Sequence, residues 1–410
     1  MKTKAVIYLV IFILLGCSVE PESFATEPET TKLFNKSTAQ SSAFNPEPLQ
    51  YSPTELVIKF NPEISEENKQ NIRESHDVIK YETCSCSNED VEVWHFNSGA
   101  NIKSKLGETE ADPDLEGSEL QYYISNTNNL FSLNTSSLKN LQKKVLTSPK
   151  RDVVIAVIDS GVDYNYEGFN MPFLYDTSQE QSCSNDPLKQ NISGWDFVND
   201  DNDVYDDNGH GTIVTYSIFE KLRDTRVPFR ILPIKAFNAN GKTKYSTIVC
   251  SYIYAINNPD VDIINMSFGW YLKKLSILNS YIATTQDILV STSAGNKGLD
   301  TDDFAHFPSG YDYEFIINTT GIKKTYEGLA SMANFGNETV DIAAANQFNF
   351  SHSNISQVYQ GTSFSAAVTT ARAATLYTNG VNPMILKNDV IYSGVYLGHL
   401  NNIKYPYTLD

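Results

Sequence analysis

Along the chain, stretches whose apolar residues are patterned for burial alternate with stretches that have almost none. Ala5 to Leu15 form an apolar run behind Lys2 and Lys4 and ahead of Gly16-Cys17. A basic start, about a dozen apolar residues and a small residue make an export signal over 1–17, too short for a membrane span. From Ser18 to Pro53 the residues are mainly Ser, Thr, Pro, Glu and Asn. So few aliphatic side chains cannot offset ordering entropy, which predicts a flexible linker over 18–53. Glu55 to Phe60 then reads as a strand, and Ser65, Glu66 and Glu67 suit a helix start leading into Lys69 to Val78. Val91 to Phe96 alternates as a strand does. A helix-prone stretch at Lys103 to Leu106, the turn Asp112-Pro113-Asp114 and a short strand from Leu120 to Ile124 complete a β-α-β-β-α-β order. The pattern predicts a small α+β module over 54–124. Ser125 to Ser148, rich in Asn, Ser, Thr and Leu, predicts a second linker over 125–149 and an exposed place for a cut.

Beyond residue 150 the pattern changes. Val153 to Ile158 is an uninterrupted apolar run, as in a strand covered on both faces of a parallel sheet. It ends in Asp159-Ser160-Gly161, which puts a carboxylate at the carboxyl end of a strand, where open α/β sheets hold their sites. In Asn208-Gly209-His210-Gly211-Thr212, glycines flank an imidazole closely enough for a substrate backbone to approach, and Ile213 to Phe219 continues as a helix. Gly361-Thr362-Ser363 opens a second helical run, rich in Ala, Val and Thr. Ser363 therefore sits at a helix amino terminus, where free N–H groups and aligned dipoles favour negative charge. A hydroxyl, an imidazole to take its proton and a carboxylate to hold the imidazole are the groups of nucleophilic acyl transfer. The amide of Asn296, in Ser293-Ala294-Gly295-Asn296, can donate to an oxyanion.

In this order, Asp159-Ser160-Gly161, Gly209-His210-Gly211-Thr212, Ala294-Gly295-Asn296 and Gly361-Thr362-Ser363 resemble the motifs of subtilisin-like serine proteases, over about 150–410. The resemblance implies an α/β catalytic domain with a doubly wound, mostly parallel sheet over 150–410. It implies a catalytic triad of Asp159, His210 and Ser363, and an oxyanion hole made by Asn296 and the Ser363 N–H. It further implies that the ferredoxin-like module is a propeptide that blocks the cleft as the protein's own inhibitor. Ser267-Phe268-Gly269 resembles a backbone edge that pairs with an extended protein or peptide substrate. Trp270, where the family often has a small residue, either narrows a subsite or packs. Ile213 and Ala367 depart from the family's usual histidine and proline, which touches the shape of the cleft and not the triad.

Composition narrows the partners. The chain has 410 residues, 41% hydrophobic and 20% charged, which excludes intrinsic disorder, collagen and a multi-span membrane protein. Lys and Arg number 31 against 49 Asp and Glu, a net charge of −18 that repels nucleic acid. Asp196, Asn199, Asp200, Asp201, Asn202, Asp203, Asp206 and Asp207 crowd the loop ahead of His210. They read either as a solvated acidic loop or as a calcium site, since hard oxygen ligands suit Ca2+. Gly194-Trp195-Asp196-Phe197-Val198 resembles the lead-in to a calcium loop in some subtilases, which favours Asp196, Asp201 and Asp203 as ligands of a structural ion. The chemistry itself needs no cofactor.

Leu14-Leu15-Gly16-Cys17 resembles the lipobox of bacterial lipoproteins, so Cys17 is expected to carry lipid and to be the only tie to a membrane. The alternative is an ordinary signal with an incidental cysteine, and both export the chain. Cys84, Cys86, Cys183 and Cys250 then remain, with little room for a disulfide scaffold and no pairing fixed. The expectation is an exported serine endopeptidase made as a zymogen, either a cell-envelope lipoprotein or secreted after processing. A cut between Ile124 and Lys150 would leave the lipid on the propeptide and the catalytic domain held only by non-covalent docking, so that maturation is release. The alternatives are a processing protease that trims one partner precursor, and a catalytically silent surface-binding protein that keeps the fold.

Overall fold

Apolar alternation builds the amino-terminal module as β1 (Tyr51–Phe60), α1 (Glu66–Ser75), β2 (Lys80–Thr83), β3 (Val91–His95), α2 (Ile102–Glu110) and β4 (Leu115–Ser125). The computed structural model describes residues 46–87, 90–126, 136–146, 152–180, 183–352 and 355–410. The export signal, Cys17 and the linker up to residue 45 lie outside the described residues, as do 127–135 and 147–149 of the second linker and residues 150 and 151 after it. The module's strands pair antiparallel in the order β2-β3-β1-β4. β1 begins at Tyr51, inside the stretch read as linker, because it pairs with Tyr122 of β4. α1 starts as expected, with the Ser65 side chain accepting the Asn68 N–H.

Part of the second linker is helical. Residues 138–144 form α3 (Leu138–Lys144), with Leu141 fully buried, and Val145 bridges to Leu174. Leu138 and Leu141 are three apart and so share a helix face, which docks on the larger domain and extends it ahead of residue 150.

The larger domain continues with β5 (Val153–Asp159), β6 (Trp195–Asp196), α4 (His210–Arg223), β7 (Phe229–Lys235), β8 (Lys242–Lys244), α5 (Tyr245–Asn257), β9 (Val261–Met266), β10 (Trp270–Tyr271), α6 (Ser276–Thr284) and β11 (Leu289–Ser293). There follow β12 (His306–Phe307), β13 (Ile316–Ile322), β14 (Ile342–Ala345), β15 (Gln347–His352), β16 (Ile355–Gln360), α7 (Thr362–Leu376), α8 (Pro383–Tyr392), β17 (Val395–Tyr396) and β18 (Tyr407–Leu409). Its main sheet runs β17-β18-β14-β13-β11-β9-β5-β7-β6, parallel except at the β17 edge. β5 lies inside the sheet between β9 and β7, and every residue in it is buried. Val154, Ala156 and Ile158 face one core with α5 and α6, whereas Val153, Ile155 and Val157 face the other with α4, α7 and α8. This is the doubly wound α/β fold expected. No helix among the described residues is long and apolar enough to cross a membrane.

Module and larger domain share the first of these cores, since Leu120, Tyr122 and Ile124 pack into it beside α5. The side chains of β4 also complete two helices that have no side-chain cap of their own. Glu119 accepts the N–H groups of Ser276 (2.7 Å) and Ile277 (3.1 Å) at the start of α6 and the Tyr245 hydroxyl (2.6 Å). Gln121 accepts the Ser246 N–H (3.0 Å) at the start of α5 and donates to the Ser246 hydroxyl (2.7 Å). Backbone donors left open at helix starts are costly when buried, so these contacts fit the module to this surface.

The cysteines depart furthest from expectation. All four pair, Cys84 with Cys250 in α5 and Cys86 with Cys183, so the module is bonded covalently to the larger domain at two points. Docking is therefore not only non-covalent, and a cut in the second linker would not by itself release either part.

Candidate active site

β5 delivers Asp159 to the carboxyl edge of the sheet, where its carbonyl accepts the Ala236 N–H at 2.7 Å. Its Oδ1 accepts from Nδ1 of His210 at 2.7 Å and from the Ser160 N–H at 2.7 Å. That pairing fixes the imidazole with its proton on Nδ1 and leaves Nε2 as the basic nitrogen. His210 is the first residue of α4, after Gly209 in a left-handed conformation (φ +99°). Gly211 brings this helix start against the Asp159 turn, where a Cβ would lie 2.3 Å from the Gly161 carbonyl oxygen. Burial pulls the imidazole pKa down, but the charge of Asp159 and its hydrogen bond, with Asp206 adding, hold it above the ordinary histidine value.

Asp206 holds α4 in place. Its carboxylate accepts the N–H groups of Asn208 (3.0 Å), Gly209 (2.8 Å) and Thr212 (2.8 Å) and the Thr212 hydroxyl (2.6 Å), while burial pushes its pKa up to about 6. In the sequence Asp206 stands as one acid among many in its loop. An acid just ahead of a helix start is the signal that could have found it.

Ser363 is the second residue of α7, so its N–H belongs to the free first turn. Its Oγ donates to the Ser267 carbonyl at 3.0 Å and the Ser267 Oγ returns a bond to the Ser363 carbonyl at 3.1 Å. Asn296 is oriented by accepting the Thr362 N–H on Oδ1 at 2.9 Å, and the Gly295 N–H donates to the Thr362 hydroxyl at 3.1 Å. His210, Asn296 and Ser363 all line one cleft of about 740 Å³.

Ser267, Phe268 and Gly269 line the same cleft. Trp270 lines it and also packs in the core, donating from Nε1 to the Lys273 carbonyl at 2.7 Å. The edge actually paired is one the sequence reading missed. β8 is antiparallel to the end of β4, matching Tyr123 with Lys244, Ile124 with Thr243 and Ser125 with Lys242. The strand carries on to Asn126, whose N–H donates to the Gly241 carbonyl (2.7 Å) and whose side-chain amide lies 3.1 Å from Nδ1 of His210. Glu47, Pro48 and Leu49 line the cleft as well, and the Gln50 carbonyl accepts the Tyr123 N–H at 2.8 Å. Turn residues Asn238 to Gly241 ahead of a short polar strand were the available signal.

In the acidic loop the carboxylates are engaged by local hydrogen bonds. Asp196 accepts the N–H groups of Val198 (2.7 Å) and Asn199 (2.9 Å) on one oxygen and the Asn199 amide (2.8 Å) on the other. Asp201 accepts the Asp203 N–H (2.9 Å), and Asp203 accepts the Tyr164 hydroxyl (2.6 Å) and the Tyr205 N–H (3.2 Å). Each carboxylate thus faces donors of its own, and among the described residues no three acidic, His or Cys side chains converge as ion ligands. Asp196, Asp201 and Asp203, the expected ligands of a structural ion, are thus held in this structure by separate sets of hydrogen bonds. Positive charge comes from buried Lys235 of β7, 3.5 Å from Asp196 and 3.2 Å from Asp207, donating also to the Tyr205 carbonyl at 2.8 Å. Burial raises the Asp196 pKa and Lys235 opposes that rise. Lys235→Ala, which leaves Asp196 buried without its counter-charge, is expected to cost about 3–5 kcal/mol in denaturant unfolding.

Residues 150–391 match the model of the Peptidase_S8 subtilase family. A thermophilic serine proteinase of Bacillus sp. (strain AK1) is 30% identical over 197 residues, 46% of this chain and 43% of that protein. Proteinase R of Parengyodontium album is 29% identical over 147 residues, 34% of this chain and 36% of its own. The cell wall-associated protease of Bacillus subtilis (strain 168) is 24% identical over 313 residues, 72% of this chain and 32% of its own. The chain thus spans less than half the length of these curated relatives. Among solved structures, that of a lanthipeptide protease superposes with a TM-score of 0.50 at 19% identity, covering 63% of this chain and 84% of that one, a likeness of fold. With the family model spanning more than half of the chain, on a doubly wound sheet that carries Asp159, His210, Asn296 and Ser363 at one edge, this protein belongs to the subtilase family.

Proposed function

We propose that the chain is an exported serine endopeptidase made as a zymogen, with the amino-terminal module as its own inhibitor. The observation that carries the reading is the Asp159–His210 pair at 2.7 Å, opening on the same cleft as Ser363 and Asn296. Ser363 Oγ attacks the carbonyl of a protein or peptide substrate while His210 takes its proton, and the tetrahedral oxyanion is met by the Asn296 amide and the Ser363 N–H. His210 then protonates the departing amine, and a water deprotonated by His210 hydrolyses the acyl-enzyme. Asp159 holds the ring and its charge throughout.

The entry of β4 along β8, ending with Asn126 against His210, supports the inhibitor role. Paired cysteines suit an oxidising compartment and so support export, with Cys17 as the proposed lipid anchor. A cleavage profile of the purified protein on a peptide library, beside Ser363→Ala, tests the activity. One narrow motif would favour trimming of a partner precursor, and a broad profile a degradative role. Asn296→Ala is expected to lower kcat by about 10²–10³ with little change in KM, since the lost donor acts on charge that develops in the transition state. Parallel kcat, KM and melting measurements check it, and an unchanged kcat would assign Asn296 to structure alone.

A further inference from the structure

Two bonds in this structure would survive a cut between Asn126 and β5. Cys84 and Cys86 follow β2 in the module, while Cys250 lies in α5 and Cys183 precedes β6, so each disulfide spans the 127–151 window. Between the two cysteines the Ser85 hydroxyl donates to the Asp200 carboxylate, so the same loop also grips the acidic loop ahead of His210. On the reading that the module is an inhibitor, we propose that these disulfides make it a permanently attached one. The cut protein stays a two-chain molecule, its cleft held shut by β4, until both bonds are reduced.

The physical reason is effective concentration. After a cut, the end of β4 still pairs with β8, and a tethered strand that dissociates rebinds as an intramolecular partner at about millimolar effective concentration. Dilution, which would separate a free inhibitor, leaves this one in place. One intact disulfide is enough for retention, so both must open. In each, a dithiol attacks through its thiolate and passes through a mixed disulfide. It leaves as its own cyclic disulfide, having given two electrons and two protons to the cysteine pair. The Cys86–Cys183 pair is half-buried, whereas Cys84 is buried, so the first is the more open to attack. The same bonds keep the amino-terminal segment with the catalytic part, so any lipid on Cys17 would hold the enzyme at a membrane after the cut.

The test has two arms. In the first, Ser363→Ala in the full chain carries the recognition sequence of an unrelated site-specific protease between residues 130 and 131 and is cut by that protease, independently of its own activity. A non-reducing denaturing gel is expected to show one band, and two after dithiol or in the Cys84→Ser/Cys86→Ser variant. Two bands without dithiol would overturn covalent retention. In the second arm the parent chain is assayed on a peptide substrate after its own processing. Dithiol is expected to raise the rate by about tenfold or more, and the double serine variant to be active without it. A processed parent equally fast before and after dithiol, its melting unchanged, would overturn the latch. Should the serine variant not fold, the dithiol comparison on the parent still decides. A parent silent under every condition, with the first arm as expected, would overturn the protease reading and leave the covalent link standing.

Discussion

Ser363→Ala is expected to lower peptide hydrolysis by about 10⁶-fold in kcat, a magnitude that comes from loss of the same role in subtilisin, and to leave folding intact. The loss is that large because no neighbour can replace the nucleophile. The nearby Ser267 hydroxyl is already bonded to the Ser363 carbonyl. Folding should survive because, among the described residues, the Ser363 hydroxyl donates only to the Ser267 carbonyl, and alanine suits the start of α7. A rate assay beside a melting curve checks both. Activity within tenfold of the parent would move the chemistry to another residue.

Asp159→Asn is expected to lower kcat by about 10⁴-fold at neutral pH, because an amide in place of the carboxylate favours the wrong imidazole tautomer. The pH profile should move as well. His210 must be neutral to act as base, so kcat/KM falls as pH drops through its pKa, and the Asp159 charge places that acid limb above the ordinary histidine value of about 6.5. Without that charge, burial pulls the pKa down against Asp206 only, and the limb is expected at lower pH than in the parent. A pH–rate profile of kcat/KM for both proteins measures this. An acid limb that stays in place would mean that Asp159 does not set the base.

What the sequence made legible and what it left hidden divide by range. β5 could be read because six consecutive apolar residues have no surface to face but two covered ones. The four site groups could be read because each sits in a short motif of its own, and the chain order of the motifs did the rest. Lys235 was invisible as a counter-charge because it reaches the acidic loop from a neighbouring strand. β8 has three residues and is a strand mainly by virtue of β4 beside it. α3 lay within a low-complexity stretch, where only Leu138 and Leu141 mark a buried face. The disulfide partners are 166 and 97 residues apart, and no local pattern encodes contacts at that distance. The same reason hid Asn126, which belongs to the module in sequence and to the site in space.

The most direct test of the account is the mass of the purified protein under reducing, denaturing conditions, parent beside Ser363→Ala. The account predicts two fragments from the parent, parted between Asn126 and the start of β5, and one uncut chain from the variant. An uncut parent that hydrolyses no peptide, or a variant divided at the same bond as the parent, would contradict it.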